Sequence, residues 1–85
     1  SKEDLEGISG FLRSIEGVRV SATLREIEGG CKVSVRAVPG IDAGAICTCF
    51  GGGGHKGAGG ANLMLPMESA MKVVADALKD ALEEV

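Results

Sequence analysis

Apolar residues recur along the chain with two periods, and the changes of period divide it into elements. Between Asp4 and Glu16 they stand three or four residues apart, which predicts an amphipathic helix that ends at Gly17. From residue 18 to residue 25, apolar and polar residues alternate, which predicts a strand with one buried face. Alternation resumes from residue 31 to residue 37 after Gly29-Gly30, a pair that suits a tight turn. The two alternating runs therefore predict a β-hairpin.

The alternation also predicts the register of this hairpin. Pairing through the glycine turn places Leu24 opposite Val35 on the apolar face. On the polar face, the same pairing places Arg36 beside Thr23. Glu26 fits this register less well, which leaves open a bulge near the turn.

The second half of the chain predicts two further helices and a third strand. Asp42 is a good N-cap for a short helix that runs to Phe50. A glycine-rich loop then spans residues 51–60, and a strand spans residues 61–65. Pro66 begins the last helix, whose apolar side chains share one face. Those apolar residues are Met71, Val74, Leu78, Leu82 and Val85.

Together these elements predict an α+β fold. It is a small two-layer domain in which a β-hairpin and a third strand are covered by about three helices, with the glycine-rich loop between the second helix and the third strand. The 85 residues suffice for one modest core, so residues 1–85 are expected to form a single domain. A hydrophobic content of 45% excludes an intrinsically disordered composition. No apolar stretch reaches the roughly 18–20 residues of a membrane span, so no membrane contact is expected.

The three cysteines favour a reduced, cytoplasmic protein over a disulfide scaffold, because their number is odd and their spacing irregular. With His55 they form an imaginable set of four zinc ligands. Cys47 and Cys49, however, stand two apart on a predicted helix and point to nearly opposite sides, which argues against a shared metal. We therefore expect no metal site, with Cys49 in the core and Cys47 half-exposed.

Charge and aromatic content limit the kinds of partner. The formal net charge is −3, yet residues 1–65 carry seven basic and seven acidic side chains, and residues 66–85 carry two basic and five acidic ones. The acidic balance therefore belongs to the C-terminal segment and does not exclude an anion site in the middle of the chain. The aromatic residues are Phe11 and Phe50, too few for a module that stacks several bases on one sheet.

Most of the functional signal lies in the run from Gly51 to Gly60, which is glycine except for His55, Lys56 and Ala58. A flexible linker is disfavoured, because a capped helix precedes the run and elements of the same core follow it. The dinucleotide fingerprint also fails, since it needs a strand before the glycines and a helix after them. Two interpretations stay open. Backbone N–H groups with His55 and Lys56 would cradle a phosphate, which we favour, or the glycines would let the loop pass beneath a helix.

The segment from Phe50 to Gly60, FGGGGHKGAGG, resembles the signature of the DHH-associated domain, the C-terminal module of DHH-family phosphoesterases. Two upstream segments, Phe11–Val18 and Ser34-Val35-Arg36, are similar to the same family at matching distances. The similarity points to the exopolyphosphatase-related branch, oligoribonucleases that also remove phosphate from 3′-phosphoadenosine 5′-phosphate. The resemblance implies that an N-terminal DHH catalytic domain with two divalent metals, Mn or Mg, hydrolyses the substrate that this domain holds.

The same resemblance implies which residues hold the substrate phosphate. The backbone of the glycine run and the side chain of His55 would form the grip, and Arg36 would be a second contact. Arg36 also stands on the predicted polar face of the hairpin, where a guanidinium suits a phosphate. The expected phosphate-binding residues are Arg36, Gly52, Gly53, Gly54, His55 and Lys56.

Hydrolysis is not expected of this chain alone. It contains one His and four Asp, at positions 4, 42, 76 and 80, so a two-metal centre cannot be assembled from it. We expect no catalytic residue, no bound cofactor, and a nucleotide or short single-stranded nucleic acid as ligand. The chain would be a fragment of a larger enzyme. The alternatives are an RNA-binding accessory domain, like the one that ends alanyl-tRNA synthetases and assists tRNA binding, and a purely structural lid or dimerisation element.

Overall fold

The computed structural model describes residues 10–13 and 18–83. In this part of the chain there are five strands and two helices, so the predicted α+β class is confirmed, with more strands and fewer helices than expected. The elements are β1 (Gly10–Arg13), β2 (Val20–Ile27), β3 (Gly30–Ala37), α1 (Ala43–Thr48), β4 (Gly53–His55), β5 (Ala58–Leu63) and α2 (Met67–Glu83).

The strands form one antiparallel sheet in the order β1-β2-β3-β5-β4. Both helices pack on the same face of this sheet. α1 lies over β3, β4 and β5, and α2 lies over β1, β2 and β3. The opposite face carries no helix in the described part of the chain, and this asymmetry positions the site described below.

The core lies between the sheet and the helices. Side chains alternate along a strand, so the buried residues of each strand fall on the helix-covered face. Among the described residues, no polar or charged side chain is buried with them. The buried apolar residues are Val20, Ala22, Leu24, Cys31, Val33, Val35 and Ala61 from the strands, and Ile41, Ala43, Ile46, Cys47, Ala70, Val74 and Leu78 from the helix layer.

The helix predicted between Asp4 and Glu16 is wrong where it can be compared. Residues 10–13 instead form β1, which pairs with β2 along its whole length. Gly10 faces the helix layer, and a Cβ there would lie 3.0 Å from the sulfur of Met71. Without β1, the edge of β2 would have unpaired backbone N–H and C=O groups. Hydrogen bonding to this edge stabilises a strand at residues 10–13, although the spacing of apolar residues is typical of a helix. The other residues of the predicted helix lie outside the described part.

The predicted hairpin forms, but its register differs by two residues. Leu24 pairs with Val33, and the turn consists of Glu28 and Gly29 rather than two glycines. Gly29 has a φ of +81°, a left-handed conformation that glycine adopts at low cost. The ladder runs unbroken between residues 20–27 and 30–37, so the bulge considered near the turn does not occur. A shift of two preserves the alternation, and the predicted assignment of buried and polar faces is confirmed.

The glycine run is a hairpin rather than the predicted loop. Residues 53–55 form β4, Lys56 and Gly57 make the turn, and β5 begins at Ala58 rather than at residue 61. β5 then pairs with β3 on its other side. Glycine carries no side chain, so the alternation that reveals a strand is invisible in this part of the sequence.

The two helices begin where the sequence predicts. The Asp42 carboxylate accepts a hydrogen bond from the N–H of Ala45 at 3.0 Å, which caps α1. The carbonyl of Pro66 accepts a hydrogen bond from the N–H of Ala70 at 2.9 Å, which closes the first turn of α2. The apolar stripe predicted for the last helix is confirmed over the described residues, because Val74 and Leu78 are buried and Met71 and Leu82 pack against the core. Val85, the last residue of the predicted stripe, lies outside the described part of the chain.

The burial of Cys47 in α1 and of Cys49 at its C-cap is the reverse of the prediction. Cys47 is buried and Cys49 is exposed. The helical hydrogen bonds end near Thr48, and the side of α1 that meets the sheet contains Ala43 and Cys47, four residues apart. Burial raises the pKa of the Cys47 thiol, although a hydrogen bond from the Val35 backbone acts in the opposite direction.

Candidate functional site

The face of the sheet opposite the helices is called the open face here. Its described strand residues include four Arg or Lys and one His but no Asp or Glu. The described acidic residues of the C-terminal segment, Glu68, Asp76, Asp80 and Glu83, stand on α2, on the other side of the sheet. The basic side chains of the strands and these acidic side chains of the C-terminal segment therefore lie on opposite sides of the sheet. The described strand residues of the open face are Phe11, Arg13, Ser21, Thr23, Arg25, Ile27, Gly30, Lys32, Ser34, Arg36, Gly53, His55, Ala58, Gly60 and Asn62.

Arg36 and His55 stand in one row across this face. Arg36 on β3 pairs with Ala58 on β5, and Ala58 pairs in turn with His55 on β4. Residues directly opposite each other in an antiparallel sheet project to the same side. Neighbouring strands lie about 4.8 Å apart, so the Cα atoms of Arg36 and His55 are about 10 Å apart. Both side chains are exposed, and each is long enough to approach a group placed over Ala58.

The surface between these two side chains is almost bare backbone. Ala58, Gly60 and Gly53 occupy the open-face positions of β5 and β4 there, and none extends beyond Cβ. A Cβ built on Gly53 would have no neighbouring atom within 4 Å, so the space above it is open. The result is a shallow trough with a backbone floor, bounded by Arg36 and His55.

Gly51 and Gly52 end a helix. Gly51 has a φ of +83°, and its N–H donates to the carbonyl of Thr48 at 3.0 Å. The N–H of Gly52 donates to the carbonyl of Cys47 at 2.9 Å. This pair of bonds is the Schellman arrangement, which satisfies the last carbonyls of a helix. The N–H of Gly52, one of the groups expected to hold phosphate, already has a partner inside the protein.

Gly54 has a packing role. Its φ is +146°, and a Cβ there would lie 2.5 Å from the carbonyl oxygen of Ala58. A Cβ on Gly44 of α1 would lie 2.8 Å from the carbonyl carbon of Gly54, so helix and strand touch at backbone distance. The two interpretations of the glycine run thus apply to different residues. Gly54 permits close packing, whereas Gly53 faces open space.

Backbone hydrogen bonds hold the His55 hairpin in place. The carbonyl of Lys56 accepts a bond from the N–H of Ala43 at 2.8 Å, which ties the turn to the start of α1. The carbonyl of Gly57 accepts a bond from the N–H of Ala37 at 3.1 Å, which ties it to the end of β3. Because Ala37 follows Arg36 directly and Gly57 lies in the turn after His55, this second bond fixes the backbone positions of Arg36 and His55 relative to each other. The side chain of Lys56 is exposed at the turn.

Two negative findings concern the described residues alone. In residues 10–13 and 18–83, no group of three or more His, Cys, Asp or Glu side chains is arranged to hold a metal ion. Over the same residues, neither helix combines the length and the apolar character needed to cross a membrane.

Comparisons with known proteins identify the family. The model of the DHHA1 domain matches residues 1–85. The chain belongs to the DHHA1 domain family. Over 83 residues it is 40% identical to the bifunctional oligoribonuclease and PAP phosphatase NrnA of Thermus thermophilus, a match that covers 96% of this chain and 26% of that protein. This DHHA1 domain thus spans about a quarter of its curated relative.

A solved structure shows the same fold. The exopolyphosphatase-related protein of Bacteroides fragilis matches this DHHA1 domain with a TM-score of 0.70 and 37% sequence identity. The match covers 79% of this chain and 20% of that one. The family resemblance inferred from the glycine motif is confirmed, and the chain is an NrnA-like DHHA1 domain of the DHH phosphoesterase family.

The six residues expected to bind phosphate lie in different parts of the fold of this DHHA1 domain. Arg36, Gly53 and His55 come together on the open face, Lys56 lies at the adjoining turn, and Gly52 and Gly54 serve the packing of α1. Sequence reasoning missed Arg13, which ends the same row as Arg36 because it pairs with Ser21. Arg13 was missed because it lies within the helix that the sequence predicted between Asp4 and Glu16. The sequence of β1, Gly10-Phe11-Leu12-Arg13, shows no alternation of apolar and polar residues, so it contains no signal that reveals the strand.

Proposed function

We propose that the open face of this DHHA1 domain binds substrate phosphate for a DHH-family phosphoesterase that hydrolyses short oligonucleotides or nucleotide phosphates. The observation that carries the proposal is the pair Arg36 and His55, held on either side of Ala58 above a floor of backbone. The NrnA relative is named as an oligoribonuclease and PAP phosphatase, and both substrates named there carry phosphate.

The chemistry of the trough suits a phosphate group. A guanidinium offers two parallel N–H donors that match two phosphate oxygens, so Arg36 would both bind and orient the group. The ring of His55 would donate from the opposite side. Gly53 would let the phosphate or its sugar approach the backbone, because no side chain stands in the way. The other cations of the open face would attract the polyanion before contact.

In this proposal the DHHA1 domain binds and a separate DHH domain hydrolyses. A DHHA1 domain typically accompanies an N-terminal DHH catalytic domain in NrnA-like proteins. Divalent Mn or Mg ions in that domain would activate the attacking water, and this chain would supply no metal ligand. Arg36 and His55 would fix the substrate phosphate relative to that centre.

The proposal is tested by titrating the 15N-labelled 85-residue chain with a 5′-phosphorylated diribonucleotide and following its amide signals. We expect shifts centred on Gly53, His55 and Ala58. His55→Ala or Arg36→Gln should weaken binding about tenfold or more, since each removes a hydrogen bond to a charged group. Lys72→Gln, on the far side of the sheet, is the matched control and should leave affinity unchanged.

Two results would contradict this function. One is a response centred on the helices rather than on the open face. The other is binding of a folded tRNA by the same chain with no response to the dinucleotide, which would favour an accessory RNA-binding role.

The division of labour predicts that the purified 85-residue chain does not cleave a dinucleotide in the presence of Mn. The measurement is product formation followed by chromatography over hours at saturating metal. Cleavage that rises with the concentration of the chain, and that disappears in the His55→Ala variant, would show instead that the chain itself is catalytic.

A further inference from the structure

Among the described strand residues, Phe11 is the one exposed large apolar side chain of the open face, since Ile27 at the end of β2 is half-buried. Phe11 on β1 is 51% exposed, and its pairing with Thr23 places it on the side of the sheet away from the helices. Its cross-strand neighbours are polar, since Thr23 in turn pairs with Ser34. The other aromatic residue, Phe50, packs against the core. Phe11 is therefore an isolated ring in a polar, cationic surface, among the residues that the structure describes.

The surroundings of Phe11 favour a nucleic acid over a protein as the partner. An exposed apolar side chain marks a protein interface when it belongs to a contiguous apolar patch, and the polar neighbours Thr23 and Ser34 leave Phe11 without one. The described strand residues of the open face carry cations and no carboxylate, so they complement a polyanion. Proteins that bind single-stranded nucleic acid combine these two features, an aromatic ring that stacks a base and cations that follow the backbone.

Phe11 is too far from the trough to contact the nucleotide whose phosphate lies there. It lies three strands and two residues from Ala58, a distance of about 16 Å by sheet geometry. Successive bases of one strand are about 3.4 Å apart when stacked and farther apart when unstacked, so a single nucleotide cannot occupy both places, whereas an extended tetranucleotide reaches both. Arg13 lies two residues from Phe11 on β1, faces the same side, and stands in the row that leads through Ser21 and Arg36 to Ala58.

We infer that Phe11 stacks on a base of a bound single-stranded oligonucleotide whose phosphate lies in the trough, with Arg13 contacting the intervening backbone. One ring suffices for one base, so the scarcity of aromatic residues does not oppose this. The inference rests on the proposed function, and it adds that the open face distinguishes oligonucleotides from single nucleotides. A nucleotide with phosphates at both ends fills the trough and never reaches Phe11.

The test measures affinity of the 85-residue chain for two ligands, a 5′-phosphorylated tetraribonucleotide and a nucleoside 3′,5′-bisphosphate. Phe11→Ala and Phe11→Leu should each weaken tetranucleotide binding about five- to a hundredfold, the effect of losing one stacked base. Neither should change binding of the bisphosphate. Val73→Ala, which trims an exposed apolar residue on α2, is the matched control and should affect neither ligand. Arg13→Gln should weaken the tetranucleotide only, and should lower the salt dependence of its binding.

Each outcome decides the inference. Unchanged tetranucleotide affinity in Phe11→Ala, full affinity in Phe11→Leu, or an equal loss for both ligands would overturn it, as would absence of tetranucleotide binding by the parent chain at millimolar concentration. Arg36→Gln tests the trough separately, because it should weaken both ligands. If Arg36→Gln has no effect while Phe11→Ala weakens the tetranucleotide, the phosphate site fails and the stacking site stands.

Discussion

The two faces of the sheet are built from the same strands and have opposite properties. On β2, Leu24 is fully buried beneath the helices, while the adjacent Arg25 is exposed on the open face. The core face is aliphatic and packed, and the open face is cationic and bare in the described strands. Because neighbouring residues of a strand point to opposite sides, one short segment contributes side chains both to the core and to the open face. Stability and ligand binding should therefore be separable by mutation, residue by residue.

The largest difference is expected between Leu24 and Arg25. Leu24→Ala should lower the free energy of unfolding by about 2–5 kcal/mol, because it leaves a cavity at a fully buried position. Arg25→Ala should change it by less than about 0.5 kcal/mol, as exposed substitutions do. Urea denaturation of the two variants measures both values. Equal losses would mean that the open face is packed against something in the folded chain.

A smaller contrast is expected between two neighbours in the glycine run. Gly54→Ala should destabilise the chain by about 1–3 kcal/mol, since its φ is +146° and a Cβ would collide with the Ala58 backbone. Gly53→Ala should leave stability within about 0.5 kcal/mol, because its Cβ meets no atom within 4 Å. The same Gly53→Ala change should weaken dinucleotide binding, as the new methyl group narrows the trough. Thermal unfolding measures the stability of both variants, and the amide titration measures dinucleotide binding by Gly53→Ala. A loss of stability in Gly53→Ala would show that Gly53, like Gly54, is needed for close packing.

The smallest perturbation compares Cys47, which α1 buries against the sheet, with Cys49 at the C-cap of α1, which is exposed. Iodoacetamide should modify Cys49 in the native chain near pH 8, with the fold retained. Cys47 should react only once the chain unfolds or the pH rises further, because burial excludes the reagent and raises the pKa of its thiol. Mass spectrometry of peptides from the native and urea-unfolded chain locates the label. Equal rates for Cys47 and Cys49 would show that α1 separates readily from the sheet.

What the sequence determined by itself was local. The alternation from residue 18 onward identified which residues of β2 and β3 face the core, and a register shift of two does not disturb that assignment. Asp42 and Pro66 marked the starts of both helices, because a cap or a proline acts on the first turn beside it. The glycine motif was specific enough to identify the family, which the match over residues 1–85 confirms.

What only the tertiary structure decided depends on contacts between distant parts of the chain. β1 exists because β2 offers it a partner, and the glycines of β4 and β5 give no side-chain pattern from which a strand is inferred. The site follows from the same pairing. Arg36 and His55 are 19 positions apart in the sequence and become neighbours only because both pair with Ala58. Backbone hydrogen bonds between strands depend little on which residues form them. The packing of the whole sheet against its helices therefore determines which strands pair.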